Sequence, residues 1–312
     1  MKEQQLALSK RFGIFCAERF PLMQYGALTL LFSISGISTS FALRNGRQQD
    51  FGWLNVITTS IVVFISFYQL RVCDEHKDYV DDCRYSPERP VPRGLISRRE
   101  LRSIAICLGV LQVILVASMG MAVMPYLVAI YIYGFLMAKE FFISAWLRKH
   151  PIAYLMSHMC ILIFTDLFIC ASDFAGRGDC YNERLIWFFI ASFVSGLLIE
   201  LGRKIKSPDQ EKPGVETYSK LFGVKTSLIL LAGVMLISTI AAGITMAVLG
   251  ASTLAWSYPL VCSCIAWTLL CLAYIKKSNI ARTTSNLSQT VVATNYLIIA
   301  IASWLPSLAQ GA

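Results

Sequence analysis

Nine apolar stretches punctuate the chain, near residues 22–43, 52–72, 101–120, 122–145, 152–172, 184–201, 226–249, 252–275 and 288–306. Each has about the 18 to 25 residues that a helix needs to cross the hydrocarbon core of a bilayer. The breaks between the third and fourth stretches and between the seventh and eighth are tight, which predicts helical hairpins. The connections 73–100 and 202–225 are long and polar. The order of two spans, a long polar connection and a two-span hairpin therefore occurs twice, which suggests an internal duplication. Ahead of the first span, Leu6, Leu8, Phe12, Phe15 and Phe20 are interleaved with Lys10, Arg11, Glu18 and Arg19. This pattern predicts an amphipathic helix within residues 1–21 lying on the membrane surface, or else a polar tail.

Composition agrees with a polytopic membrane protein of all-α class. The 312 residues are 56% hydrophobic and only 15% charged, against about 25% charged in soluble domains. The charged, mixed N-terminus gives no expectation of a cleavable signal peptide. Ten cysteines are scattered through the chain without a Cys-x-x-Cys pair; they read as small buried apolar residues rather than disulfides or zinc ligands. A formal charge of +9 does not point to nucleic acid, because its distribution follows the loops. With the N-terminus inside, 23 of the 28 lysines and arginines fall in cytoplasmic segments and 4 outside, with Lys139 inside the fourth span. Basic residues concentrate in short cytoplasmic loops, so both long connections are expected on the cytoplasmic face and the C-terminus outside.

The first long connection carries the densest chemistry. From Asp74 to Ser97 the chain reads DEHKDYVDDCRYSPERPVPRGLIS, with carboxylates at Asp74, Glu75, Asp78, Asp81, Asp82 and Glu88 and arginines at Arg84, Arg89 and Arg93. Asp74, Asp78 and Asp82 are spaced by four, so a continuing helix places them on one stripe. Three carboxylates on one stripe repel unless a cation joins them. Magnesium takes oxygen ligands, commonly one or two carboxylates completed by water and substrate phosphate. The arginines downstream are suited to phosphate oxygens.

These residues resemble the first signature of the UbiA-type intramembrane prenyltransferases, Asn-Asp-x-x-Asp-x-x-x-Asp followed by Arg-Pro-x-x-x-Gly. Asp74 stands at the asparagine, Glu75 at the first aspartate, Asp78 and Asp82 at the next two, and Arg89-Pro90 with Gly94 follow. The second connection is similar to the family's second signature at Glu200, Arg203 and Gly214-x-x-Thr217, but Lys204 stands where the family has an aspartate. Asp209 and Glu211 are the carboxylates available from a shifted position. The resemblance implies one membrane domain over residues 1–312, nine helices around a central cavity, and Mg2+-dependent use of an isoprenyl diphosphate. Metal ligands would come from Asp74, Glu75, Asp78, Asp82, Glu200, Asp209 and Glu211, and diphosphate contacts from Arg84, Arg89, Arg93, Arg203 and Lys204.

Ionisable residues inside spans are functional candidates by default. Lys139 and Glu140 lie late in the fourth expected span, Lys139 either contacting diphosphate or pairing with a neighbour. Asp166 is deepest; it would orient an acceptor, accept a proton, stabilise a carbocation, or pair with a hydroxyl on another helix. His158 reads as a hydrogen-bonded core residue or a catalyst, and Asn295 and Tyr296 in the last span as possible ligand contacts. Three activities fit these expectations: prenyl transfer to an aromatic or other lipophilic acceptor; cyclisation of the isoprenoid as in UbiA-type terpene cyclases; or transport. Transport fits least, because the polar residues cluster at one mouth.

Overall fold

The computed structural model describes residues 6–44, 51–175, 181–211, 214–251, 254–275 and 279–310. Fourteen α-helices are found among them: α1 (Leu8–Arg19), α2 (Leu22–Leu43), α3 (Trp53–Lys77), α4 (Tyr79–Tyr85), α5 (Arg98–Met119), α6 (Met124–Ala138), α7 (Ser144–Lys149), α8 (Pro151–Met159), α9 (Ile161–Phe174), α10 (Ile186–Arg203), α11 (Tyr218–Phe222), α12 (Val224–Val248), α13 (Leu254–Ile275) and α14 (Ile280–Gln310). Eight segments are long and apolar enough to cross a membrane, with α8 and α9 counted together as Pro151–Phe174. The 22-residue α13 is the ninth helix of the expected set.

Sequential spans pack side by side: α2 on α3, α3 on α5, α5 on α6, α6 on α9, α9 on α10, α10 on α12, α12 on α13, α13 on α14, and α14 back on α2. The ring is therefore closed. Inside it, α2 touches α9 and α10 touches α14, around a core containing Phe168, Ile169, Phe188 and Leu198. The outer surface is greasy instead of charged, as lipid requires; Ile106, Val110 and Ile114 on α5 are all exposed.

Polar side chains inside the ring are used as ties. Gln112 donates to the Val62 carbonyl and the Ser66 hydroxyl, both at 2.8 Å, and accepts from the Tyr131 hydroxyl at 2.7 Å, which joins α3, α5 and α6. At the end of the bundle away from the two polar connections, Arg44 is paired with Asp173 at 2.9 Å, and Ser40 donates to the same carboxylate. Small residues set the closest approaches. A Cβ on Gly36 would lie 2.6 Å from Ile169, and one on Gly202 would lie 2.1 Å from the Ser288 hydroxyl and 2.9 Å from the Thr284 carbonyl. Thr284 donates to the Gly202 carbonyl at 2.9 Å, so α10 and α14 interlock beside the second polar connection.

Three expectations change. The N-terminal helix α1 does not rest on lipid. Its Phe15, Cys16 and Phe20 are buried against Tyr68, Val72, Ile96 and Leu101, because its charged face finds partners on the first connection: Arg11 with Glu100, Glu18 with Arg93, and Arg19 with Glu75. The fourth span ends earlier than 145. Helix α6 stops at Ala138, Lys139 is its C-cap, and Glu140, Phe141 and Phe142 take left-handed φ values of 47°, 54° and 60°. The ring of Phe141 is wedged between Tyr133 and His158, 5.5 and 6.1 Å away. Finally, cysteines are not uniformly buried: Cys16 and Cys170 are, whereas Cys83, Cys107 and Cys264 are exposed, and Cys180 lies outside the described residues.

The close approach at Gly202 predicts that Gly202→Ala forces α14 outward and costs about 1–3 kcal/mol, read as a lowered unfolding midpoint in detergent. Gly233→Ala on α12, where a Cβ meets nothing within 4 Å, leaves the midpoint unchanged or raises it by about 0.5–1 kcal/mol. Equal behaviour of the two variants would contradict the packing described.

Candidate functional site

The carboxylate stripe forms at a joint. Helix α3 ends at Lys77 and α4 begins at Tyr79, with Asp78 between them. The Asp78 amide still donates to the Asp74 carbonyl at 2.9 Å, and the Asp82 amide to the Asp78 carbonyl at 2.8 Å. The i to i+4 connection is thus kept across the joint, and with it the common face of the three aspartates. Burial pushes the Asp78 carboxyl above the ordinary carboxylate range; Lys77 and Arg71 oppose the shift, and Asp74 and Asp82 reinforce it.

The other charges of this connection are committed elsewhere. Glu75 is buried and ion-paired with Arg19 at 2.7 Å and Arg71 at 3.5 Å, so it anchors α1. Asp82 is paired with Arg89. Arg93 holds Glu18 at 2.8 Å and the Glu88 carbonyl, and Arg84 lies over the Tyr85 ring. The three arginines expected on diphosphate therefore brace the connection and its neighbours.

The second connection meets the first through two contacts. Gly214, with φ +72°, comes so close to Tyr85 that a Cβ there would lie 2.4 Å from the ring. A glycine is required both by the backbone conformation and by the space. Then Tyr154 on α8 receives a hydrogen bond from Lys77 Nζ at 2.8 Å, while Lys204 Nζ stands 6.0 Å from the centre of the same ring. Lysines of both connections converge on one phenol. Tyr218, at the start of α11, flanks Lys204 from the other side at 5.9 Å, and burial raises its phenol above the ordinary range.

His158 lies one turn below Tyr154 with the rings stacked at 3.9 Å. Its Nδ1 faces the Tyr154 carbonyl at 2.9 Å, so that nitrogen carries the proton, and Nε2 is left buried with no hydrogen-bond partner. Lys77 also contacts Asp74 at 3.9 Å and Lys204 holds Glu200 at 3.0 Å, so both carboxylates border the space around the Tyr154 ring.

Glu200 is held by Arg203 at 2.7 Å and Lys204 at 3.0 Å. Glu211 accepts from the hydroxyls of Thr217 and Ser219, which fixes the turn that Thr217 caps. Asp209 is exposed in a 3-10 turn beside Asn279 and Tyr274. Neither joins the shared space. Lys139 is not there either; it lines a groove between α3, α5 and α6.

This donor set bears on the expected cation. The Asp78 carboxylate has no hydrogen bond or ion pair, and Asp74 has only long contacts to Arg71 at 3.7 Å and Lys77 at 3.9 Å. Two hard oxygen donors are thereby open, and one magnesium ion fits them, with water and phosphate completing its shell. Among the described residues no group of three His, Cys, Asp or Glu side chains is placed to hold a metal alone. The second connection offers Arg203 and Lys204 where a second ion would need carboxylates, so its chemistry suits phosphate oxygens.

Deeper in the bundle, Asp166 is completely buried and neither carboxyl oxygen has a hydrogen-bond partner. Around it, Tyr296 donates to Ser192 at 2.9 Å, and Asn295 donates to Ser238 at 3.1 Å. Asn295 and Tyr296 are therefore part of an interior polar network. Lys77, Tyr154 and Tyr218 were not expected from the sequence. Lys77 was visible as the cation nearest the stripe, whereas Tyr154 and Tyr218 lie in unrelated stretches without a motif to mark them.

Comparisons with known proteins agree with this architecture. No curated protein matches the chain. Among solved structures, a UbiA homologue from Aeropyrum pernix K1 is similar with a TM-score of 0.65 at 13% identity, over 89% of this chain and 98% of that one. A digeranylgeranylglyceryl phosphate synthase is similar with a TM-score of 0.56 at 18% identity, over 90% and 98%. A UbiA homologue from Archaeoglobus fulgidus bound to GPP and Mg2+ gives 0.51 at 14%, over 88% and 99%. At these identities the likeness is one of fold. The model of the UbiA prenyltransferase family matches residues 30–291, most of the chain, and the protein is accordingly an integral, multi-pass member of the UbiA prenyltransferase family.

Proposed function

We propose that the protein is a magnesium-dependent enzyme that ionises an isoprenyl diphosphate at the space between its two polar connections and passes the prenyl group to an aromatic or other lipophilic acceptor. The observation that carries this reading is the convergence of Lys77 and Lys204 on Tyr154, beside the open carboxylates of Asp74 and Asp78. The solved relative bound to GPP and Mg2+ supports the substrate class and the ion. Residues 1–312 act as one unit, because α1 is ion-paired to the first connection and α14 is interlocked with α10. The distribution of basic residues supports a cytoplasmic position for the N-terminus and both connections, with the C-terminus on the other side.

Asp74 and Asp78 would hold the ion, which when bound supplies a Lewis acid for the diphosphate oxygens. Lys77, Arg203 and Lys204 bind the same oxygens. When the allylic carbon–oxygen bond breaks, its electron pair leaves on the diphosphate, and these three cations are already placed against the charge that develops there. Tyr154 orients Lys77 by their hydrogen bond and offers its ring face to the space. The acceptor attacks the allylic carbon and then loses a proton; His158 Nε2 is the unprotonated, unpartnered nitrogen nearest the headgroup.

A second reading, cyclisation of the isoprenoid, is favoured by Asp166. This orphaned carboxyl is two helical turns, about 12 Å, from His158, on α9 where it packs on α10; the α10 ring of Phe188 meets that of Tyr296, and aromatic faces there would stabilise a carbocation on the substrate's own chain that the carboxyl deprotonates. Purified protein with Mg2+ and farnesyl or geranylgeranyl diphosphate separates the readings. Diphosphate release that needs an added aromatic acceptor indicates transfer, and a hydrocarbon product without acceptor indicates cyclisation. No turnover of either substrate under both conditions overturns both.

Asp78→Asn is expected to lower turnover by about 100-fold or more and to raise the Mg2+ concentration needed for half-maximal rate. Glu75→Ala is expected to leave that concentration unchanged while lowering the unfolding free energy by about 3–5 kcal/mol, because Arg19 and Arg71 lose a buried carboxylate. A shifted magnesium requirement in Glu75→Ala would return Glu75 to the metal site. For Asp166→Asn, the unfolding midpoint should hold or rise, since no hydrogen bond is lost, while turnover falls about 100-fold if the carboxyl handles a proton; unchanged turnover and product would remove Asp166 from the chemistry.

A further inference from the structure

A groove of about 640 Å³ opens between α3, α5 and α6, outside the space shared by the two polar connections. Its chemistry is graded along its depth. At the mouth stand Lys77 from the end of α3, Arg102 from the first turns of α5 and Lys139 from the cap of α6, with the edge of His76 beside them. The lining contains no carboxylate. Arg102 and Lys139 have no ion-pair partner among the described residues, whereas Lys77 is shared with Tyr154 and has a long contact to Asp74. About 12 Å deeper, eight residues along α3 and α6, the floor is made by Gln69 and Tyr131. Gly109 leaves the room for them, since a Cβ there would lie 3.1 Å from the Gln69 amide nitrogen and 3.5 Å from the Tyr131 hydroxyl. Between mouth and floor the walls are apolar, formed by Val72, Ala105 and Ala138, with Ile106 on the exposed outer lip. The groove therefore faces the bilayer sideways, with its cations at the level where the spans leave the membrane.

We propose that this groove is a binding site for an anionic phospholipid of the bilayer, the phosphodiester lying among Arg102, Lys139 and Lys77 and the start of an acyl chain lying along Val72 and Ala105. Basic pockets between transmembrane helices recognise anionic headgroups by charge and by a phosphate's several acceptor oxygens. The absence of a carboxylate separates this site from the one described above. A diphosphate carried with magnesium needs oxygen donors for the ion, which the lining lacks, whereas a phosphodiester needs only the cations. Three mouth residues from three helices also mean that a bound lipid ties α5, the most lipid-exposed wall here, to α3 and α6. Because Lys77 is common to the lipid phosphate and Tyr154, occupancy would bias the position of Lys77 in the neighbouring space. That last consequence rests on the function proposed above; the lipid site itself does not.

The full-length protein in neutral detergent, incubated with phosphatidylglycerol or phosphatidylcholine and followed by native mass spectrometry, tests the site. Wild type should retain one phosphatidylglycerol per chain in preference to phosphatidylcholine. The double variant Arg102→Ala/Lys139→Ala should bind phosphatidylglycerol at least tenfold more weakly, with an unchanged unfolding midpoint in phosphatidylcholine. If that variant fails to fold, Ile106→Trp, which fills the outer lip and keeps every charge, should lower retention by a similar factor. Equal retention of the two lipids by wild type overturns the proposal, as does undiminished phosphatidylglycerol binding in a folded double or Ile106→Trp variant. Displacement of the lipid by geranyl diphosphate in the absence of magnesium, lost in the same variants, would also overturn it and assign the groove to isoprenyl diphosphate. Because these measurements read binding without turnover, their failure leaves the proposed enzyme activity standing.

Discussion

Charge buried at the mouth of a membrane protein must find a partner there, because the hydrocarbon beside it offers none. At the two polar connections several charged side chains are paired within the protein. Arg19 and Arg71 enclose Glu75, Arg89 takes Asp82, Glu18 takes Arg93, and Glu200 takes Arg203 and Lys204. Asp78 and most of Asp74 are left open beside Lys77 and Lys204, which gather around the Tyr154 ring. Open carboxylate stands on one wall and cations on the other. A ligand that brings both a metal ion and phosphate oxygens satisfies the two walls together.

The spans were readable from apolar run lengths alone, because the bilayer imposes one length and one backbone conformation on every crossing, whereas their arrangement around a cavity came from the family resemblance. The spacing of Asp74, Asp78 and Asp82 was equally readable, since a helical repeat acts over a few residues and survives the joint at Asp78. Partner choice was not. Glu75 has the same chemistry as its neighbours in the sequence and differs only in which way it leaves α3, toward an arginine 56 positions away. The N-terminal helix was amphipathic as expected, but an amphipathic face does not say whether lipid or protein covers it. The phenol on which the site depends comes from the middle of the chain, in a stretch whose composition is that of any other span.

Lys204, which replaces an expected acid, changes the balance of the site more than its shape. The second connection still reaches the first, because Gly214 lies against Tyr85 and Thr217 caps the following turn. A wall built from Arg203 and Lys204 carries fixed positive charge, whereas a wall of carboxylates must recruit an ion to attract an anion. Fixed charge does not depend on the supply of metal.

The left-handed run Glu140–Phe142 has an implication for how this protein tolerates change. Such backbone costs about 1–2 kcal/mol per residue for side chains bearing a Cβ. Here the Phe142 amide donates to the Lys139 carbonyl and the Ile143 amide to that of Glu140, with Phe141 between Tyr133 and His158 on one side and Phe142 against Phe135 on the other. The joint is thus clasped from both sides, and because Phe141 meets the ring that stacks on Tyr154, a change at this turn reaches that phenol without altering it.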